Sequence, residues 1–218
     1  IVFGAEDERS KAILAELYNA FECPKLITDI KTAEMIKYVS NSFLATKISF
    51  ANEVGNICKR LGVDTYEVFK GVGLDHRINQ SFFRAGIGFG GSCFPKDVIA
   101  LIAKAEALGV SPKILKAVVS TNNEQPLNLI ELLKKHIPDL KGRTIGVLGL
   151  AFKPDTDDIR ESRAIPIVAR LIEEGAMGAL MSGSGPTVFG IAQNKEQALR
   201  IYEKLKSEYK LIWIVHTI

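Results

Sequence analysis

Cysteine and histidine are both scarce in this sequence, which has three of each among 218 residues. Cys23, Cys58 and Cys93 are odd in number and far apart along the chain. That spacing argues against a disulfide framework and favours reduced thiols. The three histidines are scattered and lack the short spacing of metal ligands, so the sequence predicts no metal site.

Long apolar runs and a strong excess of one charge are missing as well. No run approaches the roughly 18 apolar residues of a membrane helix, and no signal peptide precedes the first predicted helix. We therefore expect no membrane contact and a cytoplasmic location. The net charge of +3 is small and scattered. It predicts no nucleic-acid partner, although small anionic ligands would not be repelled.

A dinucleotide-binding fingerprint is also absent. It would read G-x-G-x-x-G between a strand and a helix, and no such unit occurs in these residues. Gly146 and Gly149 belong to a predicted buried strand, but the Lys-Pro-Asp loop that follows does not fit the fingerprint.

The most informative segment that is present runs from Gly88 to Asp97 and reads Gly-Phe-Gly-Gly-Ser-Cys-Phe-Pro-Lys-Asp. Glycines at 86, 88, 90 and 91 permit positive φ and close approach of a ligand, and their amides can form an anion-binding nest. Residues 95–97 predict the start of a helix that runs to Gly109, whose dipole favours a thiolate at Cys93. The alternative is a glycine-rich surface loop with a small buried cysteine.

A long helix is predicted from Thr32 to Leu61, with Gly62 as its stop. Lys37 and Asn41 are four residues apart and project from one face of that helix. A cation and an amide presented together suit a developing oxyanion. The alternative is an ordinary solvated polar stripe.

Three segments, in order, resemble the UDP-glucose dehydrogenase family: Thr32–Ala45, Gly88–Asp97 and Gly149–Ser162. The resemblance covers residues 1 to about 176. Relatives acting on GDP-mannose tend to carry Leu after the cysteine, and those acting on N-acetylmannosamine often carry His in this motif. Phe94 therefore favours UDP-glucose.

The resemblance implies a chemistry in which NAD oxidises the sugar C6 alcohol twice, through a thiohemiacetal and a thioester on the cysteine. It makes Cys93 the nucleophile. Lys37 and Asn41 would stabilise the oxyanion, and Asp97 would assist proton transfer or orient water. The resemblance also implies UDP-sugar contacts at Arg77 (in a neighbouring subunit's site), Phe82, Arg84, Gly86, Gly90, Gly91, Phe152 and Lys153. Lys96 and Arg160 would contact NAD. Arg84 departs from the Lys or Asn of the family pattern.

Residues 1–5 resemble the very end of the family's N-terminal domain, and the catalytic Glu that the family carries in that domain is absent. From this we expect that the chain as written cannot turn over substrate.

From Met177 the sequence stops following the dehydrogenase pattern. Residues 177–218 instead resemble the last part of a GHMP-type kinase, most closely the diphosphocytidyl-methylerythritol kinase. The Ser182–Pro186 loop offers amides and hydroxyls to a phosphate, but a simple glycine turn is the alternative, and the family's main ATP loop is absent. The chain therefore reads as a chimera, engineered or recombinant, without kinase activity.

The predicted fold is mixed. Residues 1–28 would be a remnant of a nucleotide-binding domain, and 29–138 an α-helical central domain whose long helix, Thr32–Leu61, forms a homodimer. Within that domain, Ser111 and Pro112 predict the start of a helix that runs towards Asn123, and a separate helix is predicted from Pro126 to His136. Residues 139–218 would form a small α/β domain, dehydrogenase-like to 176 and kinase-like after it. Strands are predicted at 144–150, 178–181, 187–192 and 211–217, and helices at 162–174 and 195–209. This order, β-α-β-β-α-β, is the ferredoxin-like signature.

Two hypotheses of different classes follow. The first is a fragment of a UDP-glucose dehydrogenase, inactive alone, that keeps a UDP-sugar site. The second is a non-catalytic chimera that serves as a folding and dimerising unit.

Overall fold

The computed structural model describes residues 1–147, 149–176 and 178–181, together with 196, 199, 200, 202 and 203. This part of the chain is rich in helices and has few strands. The elements follow in the order β1 (Val2–Gly4), α1 (Glu8–Leu17), β2 (Leu26–Thr28), α2 (Ile30–Leu61), α3 (Thr65–Val72), α4 (Phe94–Ala107), α5 (Lys113–His136), β3 (Thr144–Val147), α6 (Ala164–Glu173) and β4 (Gly178–Met181).

The first three elements form a small parallel pair around one helix. β1 pairs with β2 in register from Val2 opposite Leu26 to Gly4 opposite Thr28. A Cβ on Gly4 would lie 2.8 Å from the Cα atom of Ile30, so glycine allows β1 to approach the start of α2.

Helix α2 spans 32 residues and begins two residues before the predicted Thr32. Asp29 explains the earlier start, because its side chain accepts the Thr32 N–H at 2.9 Å as an N-cap. Gly62, with φ 71°, ends the helix in the left-handed conformation. The face of α2 turned to the core is lined by small or polar residues: Asn41, Ser42, Ala45, Ser49, Ala51, Asn52, Gly55 and Cys58.

Helices α4 and α5 pack against that face of α2. Ala45, Phe89, Val98 and Val118 form the buried cluster between them, and Val98 is fully buried. Burial of a side chain of this size contributes about 1.5–3 kcal/mol. The packing fixes the start of α4 next to the first half of α2, which is where the candidate site lies.

The prediction of two helices in residues 112–136 is wrong, because α5 is continuous from Lys113 to His136 with Pro126 inside it. Proline has no N–H, so the helix lacks only the bond that residue 126 would donate to the Asn122 carbonyl. Pro126 is fully buried, and Ile130 one turn later is 2% exposed. Burial of this face holds the helix together across the proline.

The second pair of strands flanks α6. β3 pairs directly with β4, in parallel, from Thr144 opposite Gly178 to Val147 opposite Met181. A ferredoxin-like unit is a split βαβ, in which another strand separates these two, so the described part departs from the predicted ferredoxin-like order. It is instead a direct βαβ crossover. The strands predicted at 187–192 and 211–217, and most of the helix predicted at 195–209, lie outside the described residues.

Helix α6 joins this unit to the helices. Ile167 and Leu171 pack with Ile130 of α5 in a second buried cluster. Lys134 of α5 also pairs with Glu174 at 2.8 Å. The domain boundaries at residues 28, 138 and 176 stay predictions.

Candidate functional site

Cys93 lies at the N-cap position of α4 and is exposed, whereas Cys58 is buried. No side chain caps this helix end, and Pro95 occupies its first turn, where a missing N–H costs nothing. Cys93 therefore lies at the positive end of the helix dipole, and its sulfur is 3.7 Å from Ser92 Oγ. The alternative of a small buried cysteine is wrong for Cys93, because its side chain is exposed.

Lys37, Asn41, Asp97 and Lys96 form one continuous series of hydrogen bonds. Lys37 Nζ donates to Asn41 Oδ1 at 3.1 Å. Asn41 Nδ2 in turn donates to Asp97 Oδ2, and Lys96 Nζ donates to Asp97 Oδ1. Asn41 and Asp97 are buried, at 7% and 3% exposure, whereas Lys37 is exposed, so only Asn41 departs from a solvated polar stripe. The Asp97 N–H also donates to the Cys93 carbonyl at 2.9 Å, which keeps this series one helical turn from the thiol.

The charge state of Asp97 follows from these contacts. Burial alone would raise the pKa of this carboxyl, but the hydrogen bonds from Lys96 and Asn41 and the charges of Lys96 and Lys37 outweigh it and lower the pKa. The same contact with Asp97 raises the pKa of Lys96. A buried carboxylate is thus held ionised as a hydrogen-bond acceptor, with a cation on each side of it.

The glycine loop before Cys93 uses its glycines for two different reasons. Gly88 and Gly91 have positive φ values of 110° and 80°, as predicted. Gly86 and Gly90 are not among the positive-φ glycines. Gly90 is instead required by space, because a Cβ there would lie 2.3 Å from the Glu161 carbonyl oxygen.

Residues 151–161 form a second loop that covers the first. The Phe152 ring lies against Gly91, where a Cβ would be 2.6 Å from Cε2. The Gly91 N–H donates to the Arg160 carbonyl at 2.8 Å. Phe152 and Arg160, far from Cys93 in sequence, are thereby brought to its loop.

The cations of this second loop are arranged around Asp158 and Phe152. Arg160 makes a bidentate pair with Asp158, the closest contact being 2.6 Å, and this pair lowers the pKa of Asp158 to about 2. The pKa of Arg160 is raised mainly by Asp158 and to a smaller extent by the charge of Cys93. Lys153 Nζ lies 5.5 Å from the centre of the Phe152 ring. Both basic side chains are exposed and within reach of an anionic ligand.

The remaining predicted residues lie in the segment before the glycine loop. Phe82 has an unusual φ of 68° for a non-glycine residue, and its ring centre is 6.3 Å from that of Phe94. Arg84 is exposed. Gly86 donates its N–H to Asn52. Arg77 is exposed and held by Asp75 at 2.6 Å, so in this chain it does not join the Cys93 site.

Sequence reasoning missed the polar side chains that hold the glycine loop in place. Asn122 donates to and accepts from the Phe89 backbone, and Gln125 donates to the Gly86 carbonyl. Both are on α5 and nearly fully buried. The sequence did contain one signal for them: Asn122 and Gln125 lie four and seven residues after Val118, which is the helical spacing of the apolar face that Val118 belongs to.

In the described part of the chain, no three His, Cys, Asp or Glu side chains come together as metal ligands. None of the helices described there combines the length and apolar character needed to cross a membrane.

Two family models match the sequence. Residues 31–124 match the UDP-glucose/GDP-mannose dehydrogenase family, central domain. Residues 128–211 match the C-terminal region of GHMP kinases. The kinase match begins well before the junction predicted at residue 177, so it also covers residues that resemble the dehydrogenase.

Curated relatives show the same dehydrogenase similarity over most of the chain. UDP-glucose 6-dehydrogenase TuaD of Bacillus subtilis is 49% identical over 175 residues, which are 80% of this chain and 38% of the relative. UDP-glucose 6-dehydrogenase AglM of Haloferax volcanii is 50% identical over 181 residues, covering 81% of this chain and 42% of the relative. The chain thus spans about two fifths of the length of the relatives it matches.

Solved structures agree with the described fold. A UDP-glucose dehydrogenase from Pyrobaculum islandicum superposes with a TM-score of 0.80 at 53% identity, over 83% of this chain and 42% of that one. A UDP-D-ManNAc dehydrogenase from Pyrococcus horikoshii superposes with a TM-score of 0.73 at 27% identity, over 86% of this chain and 46% of that one. The helix-rich architecture is therefore consistent with the central part of a UDP-glucose dehydrogenase.

Proposed function

We propose that this chain carries the thiol and sugar-nucleotide site of an NAD-dependent dehydrogenase that converts UDP-glucose to UDP-glucuronate. The observation that carries the proposal is the hydrogen-bonded series from Lys37 through Asn41 to Asp97, one helical turn from the exposed Cys93. An exposed thiol at a helix N-terminus, beside a buried carboxylate and two donors, is equipped for covalent chemistry on a carbonyl.

The proposed sequence of steps uses each of these groups. After the first oxidation of C6 to an aldehyde, the Cys93 sulfur adds to that carbon and gives a thiohemiacetal. A second hydride loss gives a thioester, and water then cleaves its C–S bond, releasing the carboxylate and the free thiol. Asp97 accepts a proton from the attacking water or orients it.

The oxyanion of the thiohemiacetal needs donors, and the observed bonds leave some free. Asn41 uses one of its two amide N–H groups for Asp97, and Lys37 uses one of its three ammonium protons for Asn41. The remaining N–H groups stabilise the oxygen. Because Asp97 fixes the Asn41 amide, the donor is oriented before substrate binds.

UDP-glucose is proposed as the substrate because identity is higher to UDP-glucose dehydrogenases, at 49–53%, than to the UDP-D-ManNAc dehydrogenase, at 27%. The exposed cations Arg84 and Lys153 suit the diphosphate. Phe82 and Phe152 offer ring faces beside the glycine loop, whose members Gly86, Gly90 and Gly91 let the sugar approach the backbone.

The residues present also fit a contact with NAD. Lys96 and Arg160 are exposed cations near enough to Cys93 for its charge to raise the pKa of each, after the larger effects of Asp97 and Asp158. They would hold the phosphates of NAD, which when bound supplies the hydride acceptor for both oxidations.

Substrate protection of Cys93 tests the proposal on the chain as it exists. We expect UDP-glucose to slow alkylation of Cys93 by iodoacetamide, measured by mass spectrometry, and GDP-mannose at the same concentration to have a much smaller effect. Cys23, which is also exposed, serves as the internal control. Equal labelling of Cys93 with and without UDP-glucose would contradict the proposed site.

Turnover gives a second test. These 218 residues contain no dinucleotide fingerprint, and positioning of the hydride acceptor is worth several kcal/mol of the barrier. We therefore expect no NADH from UDP-glucose and NAD with this polypeptide alone. NADH formation that disappears in Cys93→Ala would show that the cofactor is held by residues other than those proposed.

We further propose that α2 forms a homodimer. Met35, Val39, Phe43 and Ile57 project from one face of this helix and are 48–62% exposed, although apolar. An exposed apolar stripe of this length on a surface helix is typical of a protein–protein interface. Light scattering should give a dimer mass for the native chain and a monomer mass for Phe43→Glu. Ile114→Glu, at a position 72% exposed on α5, is the control and should stay dimeric.

The second candidate, a non-catalytic chimera, is favoured by the GHMP kinase match to residues 128–211. We propose that residues 177–218 derive from a relative of the diphosphocytidyl-methylerythritol kinase and carry out no phosphoryl transfer. Incubation with ATP and a diphosphocytidyl-methylerythritol substrate should consume no ATP. Measurable ATP consumption above a heat-denatured control would contradict this proposal.

A further inference from the structure

The backbone of Phe89, four residues before Cys93, is held by both of its polar atoms. Its N–H donates to Asn122 Oδ1 at 2.7 Å, and its carbonyl accepts from Asn122 Nδ2 at 3.0 Å. The same carbonyl also accepts from Arg163 Nε at 2.9 Å. Phe89 itself is 6% exposed within the α2–α4–α5 core. The start of the glycine loop is therefore fixed to α5 and to Arg163.

Arg163 reaches two acceptors on two different elements. Besides the Phe89 carbonyl, its Nη1 atom donates to Asn123 Oδ1 at 3.1 Å. The side chain is only 13% exposed, and its nearest carboxylate, Glu161, is 4.0 Å away. Burial lowers the pKa of this guanidinium, against the opposing charge of Glu161. The function proposed above gives this costly buried cation no role.

The residues 160–163, which we term the brace, contact the cysteine loop at two points. Arg163 holds Phe89 before the glycines, and the Arg160 carbonyl accepts the Gly91 N–H after them, at 2.8 Å. The Gly91 bond holds the Arg160 backbone against the loop two residues before Cys93, while the Arg160 guanidinium pairs with Asp158. The contact between the brace and the loop thus decides whether the Arg160 cation is held beside the loop that carries the thiol.

We propose that Arg163 is a positioning residue, which holds the brace against the cysteine loop so that the Arg160 cation stays beside the segment that carries Cys93. A planar guanidinium is suited to this role, because Nε and Nη1 lie in a fixed fork that meets two acceptors at once, whereas a lysine offers a single point donor. The proposal rests on Cys93 being the nucleophile of the proposed function.

The test compares alkylation of Cys93 by the anion iodoacetate and by neutral iodoacetamide. A nearby cation speeds the reaction with the anion. The rate with iodoacetate divided by the rate with iodoacetamide therefore reports how close the Arg160 charge lies to the Cys93 sulfur. We expect Arg163→Ala to lower this ratio roughly threefold, the size typical of one partly screened charge. Arg160→Ala should lower it by a similar factor. The ratio at Cys23 corrects for reagent and pH in every sample.

The double variant Arg160→Ala/Arg163→Ala separates positioning from general destabilisation. If Arg163 acts through Arg160, the double variant lowers the ratio no further than Arg160→Ala alone. Independent, multiplying effects would overturn the proposal, as would an unchanged ratio in a folded Arg163→Ala protein. Arg170→Ala, which removes an exposed arginine of α6, is the matched control and should leave the ratio unchanged.

Arg163→Lys distinguishes the charge of Arg163 from its geometry and keeps the test decisive if Arg163→Ala does not fold. Lysine keeps the charge but loses the fork, so we expect a ratio close to that of Arg163→Ala. Full restoration of the ratio would mean that the Arg163 charge acts on the thiol directly, which contradicts positioning. UDP-glucose protection of Cys93 tests the proposed substrate separately, so the two proposals can fail independently.

Discussion

Asn122→Ala is the substitution for which the structure makes the sharpest stability prediction. Asn122 is 1% exposed and is bonded to both backbone polar atoms of Phe89. Truncation leaves the buried Phe89 N–H without an acceptor, which costs about 1–3 kcal/mol. The second bond is worth about 1 kcal/mol, although the carbonyl keeps its bond from Arg163. With the small void left behind, we expect a loss of about 3 kcal/mol.

Urea unfolding followed by circular dichroism measures this loss. For a chain of this size, about 3 kcal/mol corresponds to a midpoint lower by roughly 1–2 M urea. Asn128→Ala is the control on the same helix, because Asn128 is exposed and makes a single bond, at 3.2 Å, to Gln125. It should cost less than about 1 kcal/mol. Equal losses for the two variants would show that Asn122 does not hold the glycine loop.

Two further predictions concern the second loop. Gly90→Ala should lower the free energy of unfolding by about 2 kcal/mol, since its Cβ would meet the Glu161 backbone oxygen at 2.3 Å. Gly86→Ala is the control, because its Cβ would have nothing within 4 Å, and it should change that free energy by less than about 0.5 kcal/mol. Urea unfolding measures both. Because the pKa of Asp158 is lowered to about 2, its stabilisation is present above about pH 4 and is lost as pH falls towards about 2. Melting temperatures of the native chain and Asp158→Asn should therefore differ at neutral pH and converge in acid; a pH-independent gap would contradict this.

In the candidate site, the sequence predicted which residues share a helix face, and the structure decided which distant residues they contact. Periodicity located α2 and placed Lys37 and Asn41 on one of its faces, because helical spacing is a local property. That the Asn41 amide donates to Asp97, a residue 56 positions later, depends on the packing of α4 against α2. The Asn41 side chain has several possible partners in sequence, and only the folded chain selects one.

Local rules failed where burial outweighed them. Proline predicted a break at residue 126, but the buried face of α5 carries the helix through it. The order of predicted strands favoured a ferredoxin-like unit, yet β3 and β4 pair directly. Strand order along the chain does not specify which strands are neighbours, since pairing is decided by how α6 packs back on the sheet.

The sequence by itself determined the helical central region, the end of α2 at Gly62, the glycine–cysteine loop and the resemblance to UDP-glucose dehydrogenases. Each of these depends on residues close together in the chain, such as Gly62 as the cap that ends α2. Tertiary structure alone decided that Arg163 meets Phe89, 74 residues away, and that Gly90 must be glycine because the Glu161 carbonyl lies against it. Such contacts arise when distant segments pack together, and no local pattern encodes which segments will meet.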